Sequence, residues 1–127
     1  MIEKHVLNRD RIRRIDGGFS FIPHRFLTDG FLSSLNQKQL LLYLFLVLAS
    51  DRRGLSFYSH DAICCLLEFS PDDYVQARDA LIRQDLIAFD GTLFQVLDLP
   101  ESPVQSQAPQ THGPVVSTRI QHCLWEG

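Results

Sequence analysis

The chain has 127 residues, 45% of them hydrophobic, and a net charge of −3, which is the composition of one soluble globular domain that is not broadly basic. Three cysteines with no C-x-x-C spacing argue against a disulfide framework or a zinc site, and no cofactor is expected. They favour a reducing, cytoplasmic location. Charged residues near the start argue against an export signal, and the longest apolar run, 40–49, is too short to cross a bilayer.

Charge divides the chain into unlike halves. Residues 1–53 carry nine Lys and Arg against five acids, whereas residues 54–127 carry three Arg against ten acids. Such asymmetry suggests a polyanion or membrane surface at the N-terminal half, or copies that stack head to tail.

Composition predicts three segments. Residues 1–18 form a basic, flexible N-terminal arm that ends at a Gly-Gly pair, and residues 19–99 form the folded domain. Residues 100–127 begin as a Pro/Gln-rich tail that lacks the apolar surface needed to order itself. The tail ends in VVSTRIQHCLWEG, a possible docking segment with Trp125 as its anchor, or simply a disordered terminus.

Three helices are predicted in the folded domain, at about 36–50, 59–68 and 70–84. Asn36 followed by Gln39 is a capping box, and Ser59 is a suitable cap for the second helix. Ser70, then Pro71 and two acids, has the order expected for the start of the third.

Short strands are predicted between and after these helices. Leu55–Phe57 is long enough for one small strand, and 86–89 and 93–97 are β-rich runs. Asp90-Gly91 between them predicts a hairpin closed by a two-residue type I′ turn with positive φ at both residues.

This order resembles a bacterial winged helix-turn-helix, a mainly α fold of three core helices and a small β-hairpin wing. The resemblance lies in LNQKQLLLYLFLVLASDRRGLSFYS, AICCLLEFSPDDYVQARDALIRQDLI and AFDGTLFQV, within about residues 22–99. FIPHRFL and the first of these stretches are also similar to N-terminal domains of phage and plasmid replication initiators, including the phage replication protein O type. The resemblance implies nucleic-acid binding, although winged helices also serve as pure protein-binding modules.

The third predicted helix is unusual for a DNA-reading helix. Tyr74, Ala77 and Leu81 recur at core spacing, which leaves Asp72, Asp73, Gln76, Asp79 and Arg83 facing outward. Gln76 is able to read adenine, but three acids near phosphates oppose binding. Capping and helix-dipole chemistry account for Asp72 and Asp73 without any function, and a hairpin that only closes the core accounts for the wing.

The cations for DNA binding are therefore expected in the arm. Arg9, Arg11, Arg13 and Arg14 are the best candidates for phosphate contact, with Gln76 and Arg83 as weaker ones. The alternative is a solvated, charged terminus with no partner. Arg25, Lys38, Arg52 and Arg53 lie further along the chain.

The first predicted helix is apolar on every side, which suggests that part of it is covered by another chain. Leu41 and Phe45 are the candidate homo-oligomer contacts. Apolar residues that precede the helix are expected to wrap it from within the chain: Phe19, Phe21, Ile22, Phe26, Leu27, Phe31 and Leu32.

No catalytic motif is present. His60 and Cys64 are spaced four residues apart, as a Cys–His pair on one helix face requires, but their apolar neighbours indicate buried, inert thiols at Cys64 and Cys65. The protein is therefore expected not to be an enzyme. Two hypotheses remain. One is a nucleic-acid-binding regulator or accessory of a replication or mobile-element system. The other is an assembly module that uses Asp72, Asp73 and Asp79 to meet a basic partner, with no DNA bound.

Overall fold

The computed structural model describes residues 3–104, so Trp125 and the predicted docking segment lie outside the described residues. This part contains two single-turn 3-10 segments, Arg9–Arg11 and Leu32–Ser34. Its helices are α1 (Arg25–Thr28), α2 (Gln37–Ala49), α3 (His60–Leu67) and α4 (Pro71–Arg83), and its strands are β1 (Leu55–Ser56), β2 (Ile87–Phe89) and β3 (Phe94–Val96).

The three predicted helices are confirmed as α2, α3 and α4, because their local start signals operate as expected. Asn36 and Gln39 exchange side-chain-to-backbone hydrogen bonds of 2.8 and 3.1 Å. The Ser59 hydroxyl accepts from the Ala62 amide at 3.1 Å, and Ser70 and Asp73 form a second capping box. The short helix α1 was not predicted.

The strands form a three-stranded antiparallel sheet in the order β1–β3–β2, so the described fold is a mixture of helices and a small sheet. The predicted hairpin is present as β2 and β3, with Phe89 opposite Phe94. The predicted small strand is present as β1, and Ser56 lies opposite Phe94 on the other side of β3.

The hairpin turn differs from the prediction. Asp90 donates its backbone N–H to the Leu93 carbonyl, which makes Gly91 and Thr92 the central residues. Among the described residues of this turn only Gly91 has positive φ, at 98°, as the first central position of a type II′ turn requires. Asp90 lies just before these central positions. Its carboxylate accepts hydrogen bonds from the backbone amides of Thr92 (2.8 Å) and Leu93 (2.7 Å), which stabilises the turn.

The core lies where α2 and α4 pack together over the sheet. Phe26 from α1 stacks on Tyr43 of α2 with ring centroids 5.0 Å apart, and Phe31 is buried beside it. The prediction that Phe19, Phe21 and Leu27 also wrap α2 is wrong, since all three are exposed. The inner face of α2 is already covered by Phe26, Phe31 and α4, which leaves no buried surface for them.

Arg25 holds the chain that follows the sheet. Its guanidinium donates hydrogen bonds to the backbone carbonyls of Leu99, Pro100 and Glu101, the shortest being 2.6 Å to Pro100. The same side chain pairs with Asp29 at 3.0 Å. Arg25 therefore has a structural task and is not available as a free cation.

Candidate interaction surfaces

The basic arm presents its arginines to solvent. Arg9 and Arg11 lie in a single 3-10 turn that Asn8 caps by accepting from the Asp10 amide at 3.0 Å. Arg13 and Arg14 follow, and all four side chains are exposed. Within residues 3–104 none of the four pairs with a carboxylate. Their charges are therefore available to an external anion.

Besides Arg25, two cations of the folded part are held by carboxylates. Lys38 Nζ lies 2.8 Å from Asp73 Oδ2, and Arg78 lies 3.1 Å from Asp79 Oδ1. Arg52 and Arg53, at the turn after α2, are exposed and have no ion pair to any described residue.

The outward face of α4 carries less unpaired negative charge than its three acids indicate. Asp73 is the last residue of the capping box, and Lys38, followed by hydrogen bonds from Ser70, lowers the pKa of its carboxyl. Asp79 is matched by Arg78. Of the three carboxylates, Asp72 alone has neither an ion pair nor a hydrogen bond to the described residues.

Gln76 and Arg83 are brought together at a polar groove between α4 and the first turn of α2. The groove has a volume of about 390 Å³ and also includes Lys38, Asp73 and Asp79. Its lining contains two acids and two bases, so it has no single sign of charge. This arrangement gives Gln76 and Arg83 a common location, while the four arm arginines lie on a separate segment.

An apolar stripe runs along the outside of α2. It consists of Leu41, Leu44 and Leu48, which are 41%, 42% and 67% exposed. Phe45 lies beside the stripe but is half-buried, because its ring meets the edge of Tyr58 at a centroid distance of 5.1 Å. The spacing of three and four residues places the three leucines on one face.

A second groove, of about 440 Å³, lies between α3, α4 and the hairpin. We call it the aromatic groove; its main lining side chains are Phe57, Tyr58, His60, Tyr74, Arg78 and Phe89. Sequence reasoning missed it because the lining comes from four separate elements. The available signal was the pair Phe57-Tyr58, two large aromatics that continue a strand yet have no predicted core position.

The interpretation of the thiols as buried is wrong for Cys65, which is exposed, and Cys64 is half-buried. Helix α3 packs through Ile63, with Cys64 partly buried against the core, while Cys65 is exposed. Partial burial, with smaller contributions from Asp61 and Asp73, raises the pKa of Cys64. His60 stacks on Tyr74 at 4.8 Å.

Comparisons with known proteins add no relative, since no family model, no curated protein and no solved structure matches the chain. In the part of the chain that the structure describes, no helix has the length and apolar character needed to span a membrane. Over residues 3–104 there is also no cluster of three His, Cys, Asp or Glu side chains placed to bind a metal ion.

Proposed function

We propose that this chain is a small winged-helix nucleic-acid-binding protein that holds the DNA backbone mainly through Arg9, Arg11, Arg13 and Arg14. It would act as a regulator or accessory factor of a replication or mobile-element system. The cytoplasmic location expected from its cysteines, and self-association through the apolar stripe, belong to the same proposal.

The order of elements supports the winged-helix part. Helix α2, strand β1, helices α3 and α4, and the β2–β3 hairpin follow one another as in that architecture. β1 pairs with the second strand of the hairpin, which closes the wing onto the helices.

The single observation that supports nucleic-acid binding is that the four arm arginines are exposed and unpaired among the described residues. They lie within six consecutive residues and are exposed, with no carboxylate partner in residues 3–104. Such a segment neutralises phosphates without having to break existing ion pairs, and phosphate neutralisation provides most of non-specific DNA affinity. The acids on α4 oppose this less than their number suggests, because Asp73 and Asp79 are already paired.

The test is binding of a labelled random-sequence duplex at low salt, measured by fluorescence anisotropy. Wild type is compared with the quadruple alanine variant at Arg9, Arg11, Arg13 and Arg14. The matched control is the double variant Arg52→Ala and Arg53→Ala, which removes exposed, unpaired cations from the folded part. We expect the arm variant to lose most of the affinity and the control to lose much less.

The same assay separates the competing hypothesis, in which α4 meets a basic protein. That hypothesis predicts no binding of wild type to random DNA even at low salt. Asp72→Lys distinguishes the two further, because it adds a cation to α4 and would weaken docking of a basic partner while leaving arm-driven DNA binding intact or stronger.

A further inference from the structure

The aromatic groove has a charge unlike that of its surroundings. Residues 54–127 carry ten acids against three arginines, yet the groove lining contains Arg78 and no carboxylate. Two neighbouring acids have other contacts: Asp90 accepts from the amides of the turn, and Asp79 binds Arg78. Asp79 lies outside the lining but contacts one side of the Arg78 guanidinium, so an approaching anion would meet the Arg78 donors that Asp79 leaves free.

Planar groups already stack on one another inside the groove. The His60 and Tyr74 rings are nearly parallel, at 11° and 4.8 Å between centroids. Arg78 lies over the rings of Tyr74 and Phe89, at 5.4 and 5.3 Å. Cation–π contact with both rings helps to hold the guanidinium of Arg78 in place.

An outer layer of the groove remains open. Phe57 is 67% exposed, and His60 is exposed even though Tyr74 covers one face of its ring. Asp79 contacts Arg78 through a single carboxylate oxygen, so the five-donor guanidinium retains hydrogen bonds for a second anion. The volume of about 440 Å³ is within the range of small-molecule binding sites.

We propose that the aromatic groove binds unpaired bases of single-stranded nucleic acid, which stack on Phe57 and His60 while Arg78 contacts the adjoining phosphate. Aromatic platforms beside a cation are the usual means of binding single strands without sequence preference. The inference rests on the proposed nucleic-acid function and adds the class of ligand: the arm would hold backbone and the groove would hold bases. An unmodified peptide carries no phosphate for Arg78 to contact.

The test compares two labelled oligomers of equal length with the full chain: an oligothymidylate of roughly twelve nucleotides and an abasic oligomer with the same phosphates. The ratio of their affinities isolates the contribution of the bases. We expect wild type to prefer oligothymidylate, and Phe57→Ala and His60→Ala each to reduce that preference about fivefold or more with unchanged affinity for the abasic strand. The matched control is Phe21→Ala, which removes a similarly exposed aromatic side chain outside the groove.

The outcomes separate the two proposals. The quadruple arm variant should weaken binding of both oligomers equally and leave the ratio unchanged. A ratio near one in wild type, or a preference that survives both Phe57→Ala and His60→Ala, overturns the groove proposal while the arm proposal stands. An arm variant that binds the abasic strand as well as wild type overturns the arm proposal alone, and failure of wild type to bind either oligomer overturns both.

Discussion

At the scale of single residues, Gly54 is the position where the backbone tolerates least change. It adopts φ of +83°, and its carbonyl accepts a hydrogen bond of 2.8 Å from Val96, which joins the end of the α2–β1 turn to β3. A Cβ at Gly54 would overlap the Val96 carbonyl oxygen. Gly91 also has positive φ, at 98°, but a Cβ there meets no described atom. Substitutions at these two glycines therefore separate the free-energy cost of a left-handed backbone from the additional cost of a steric collision.

We predict that Gly54→Ala is more destabilising than Gly91→Ala. Both substitutions place an L side chain in the left-handed region, at about 1–2 kcal/mol, and only Gly54→Ala adds the collision, at about 1–3 kcal/mol more. Urea denaturation of both variants measures the difference. Equal losses would show that the close approach of Gly54 to β3 is absent.

Ionisation of Asp90 makes the stability of the hairpin turn depend on pH. Hydrogen bonds from the Leu93 and Thr92 amides lower the pKa of its carboxyl below the ordinary value of 3.8. A carboxyl with a lowered folded-state pKa contributes stability above its unfolded pKa and loses it as pH falls through the folded pKa.

We predict that Asp90→Ala lowers the urea midpoint at neutral pH, and that this deficit disappears at a pH well below 3.8. The control is Asp98→Ala, an exposed acid that accepts no hydrogen bond from the described residues. A deficit that persists unchanged into acid would mean that the charge of Asp90 does not stabilise the turn.

At the scale of elements, the local sequence is sufficient to predict a helix that begins at a side-chain cap. Asn36, Ser59 and Ser70 each accept from an amide three residues ahead, so the sequence alone placed α2, α3 and α4 correctly. The turn predicted at Asp90-Gly91 lies one residue too early in the chain. The side-chain carboxylate of Asp90 competes with the Asp90 backbone carbonyl to accept a hydrogen bond from the Leu93 amide. Helix α1 has no side-chain cap, and its burial depends on distant partners such as Tyr43.

We predict that Leu44→Glu disrupts a homo-oligomer formed through the apolar stripe. A charge in the middle of a covered apolar face is costly to bury, whereas α2 itself should survive because Leu44 does not belong to the core. Sedimentation equilibrium measures the mass, and Leu66→Glu on α3 is the control, since Leu66 is exposed away from the stripe. A monomeric wild type, or equal effects of both variants, would contradict this role.

At the scale of the whole molecule, charge and aromatic surface occupy different places. Four arginines that are unpaired among the described residues lie on the arm, ahead of the folded part, while Asp73 and Asp79, which are both paired, lie on α4. The arm arginines were predictable as candidates because they are adjacent in the sequence. The aromatic groove was not, since Phe57, His60, Arg78 and Phe89 meet only after the helices pack and the hairpin closes.

Binding of phosphates by the arm arginines is tested most directly by the dependence of DNA affinity on salt concentration. Each phosphate neutralised contributes about 0.9 to the slope of log K against log salt on duplex DNA. We predict a steep slope for wild type with a random duplex, lower by about 3.6 at most in the quadruple variant of Arg9, Arg11, Arg13 and Arg14. An unchanged slope in that variant, or no binding by folded wild type at low salt, would contradict the account.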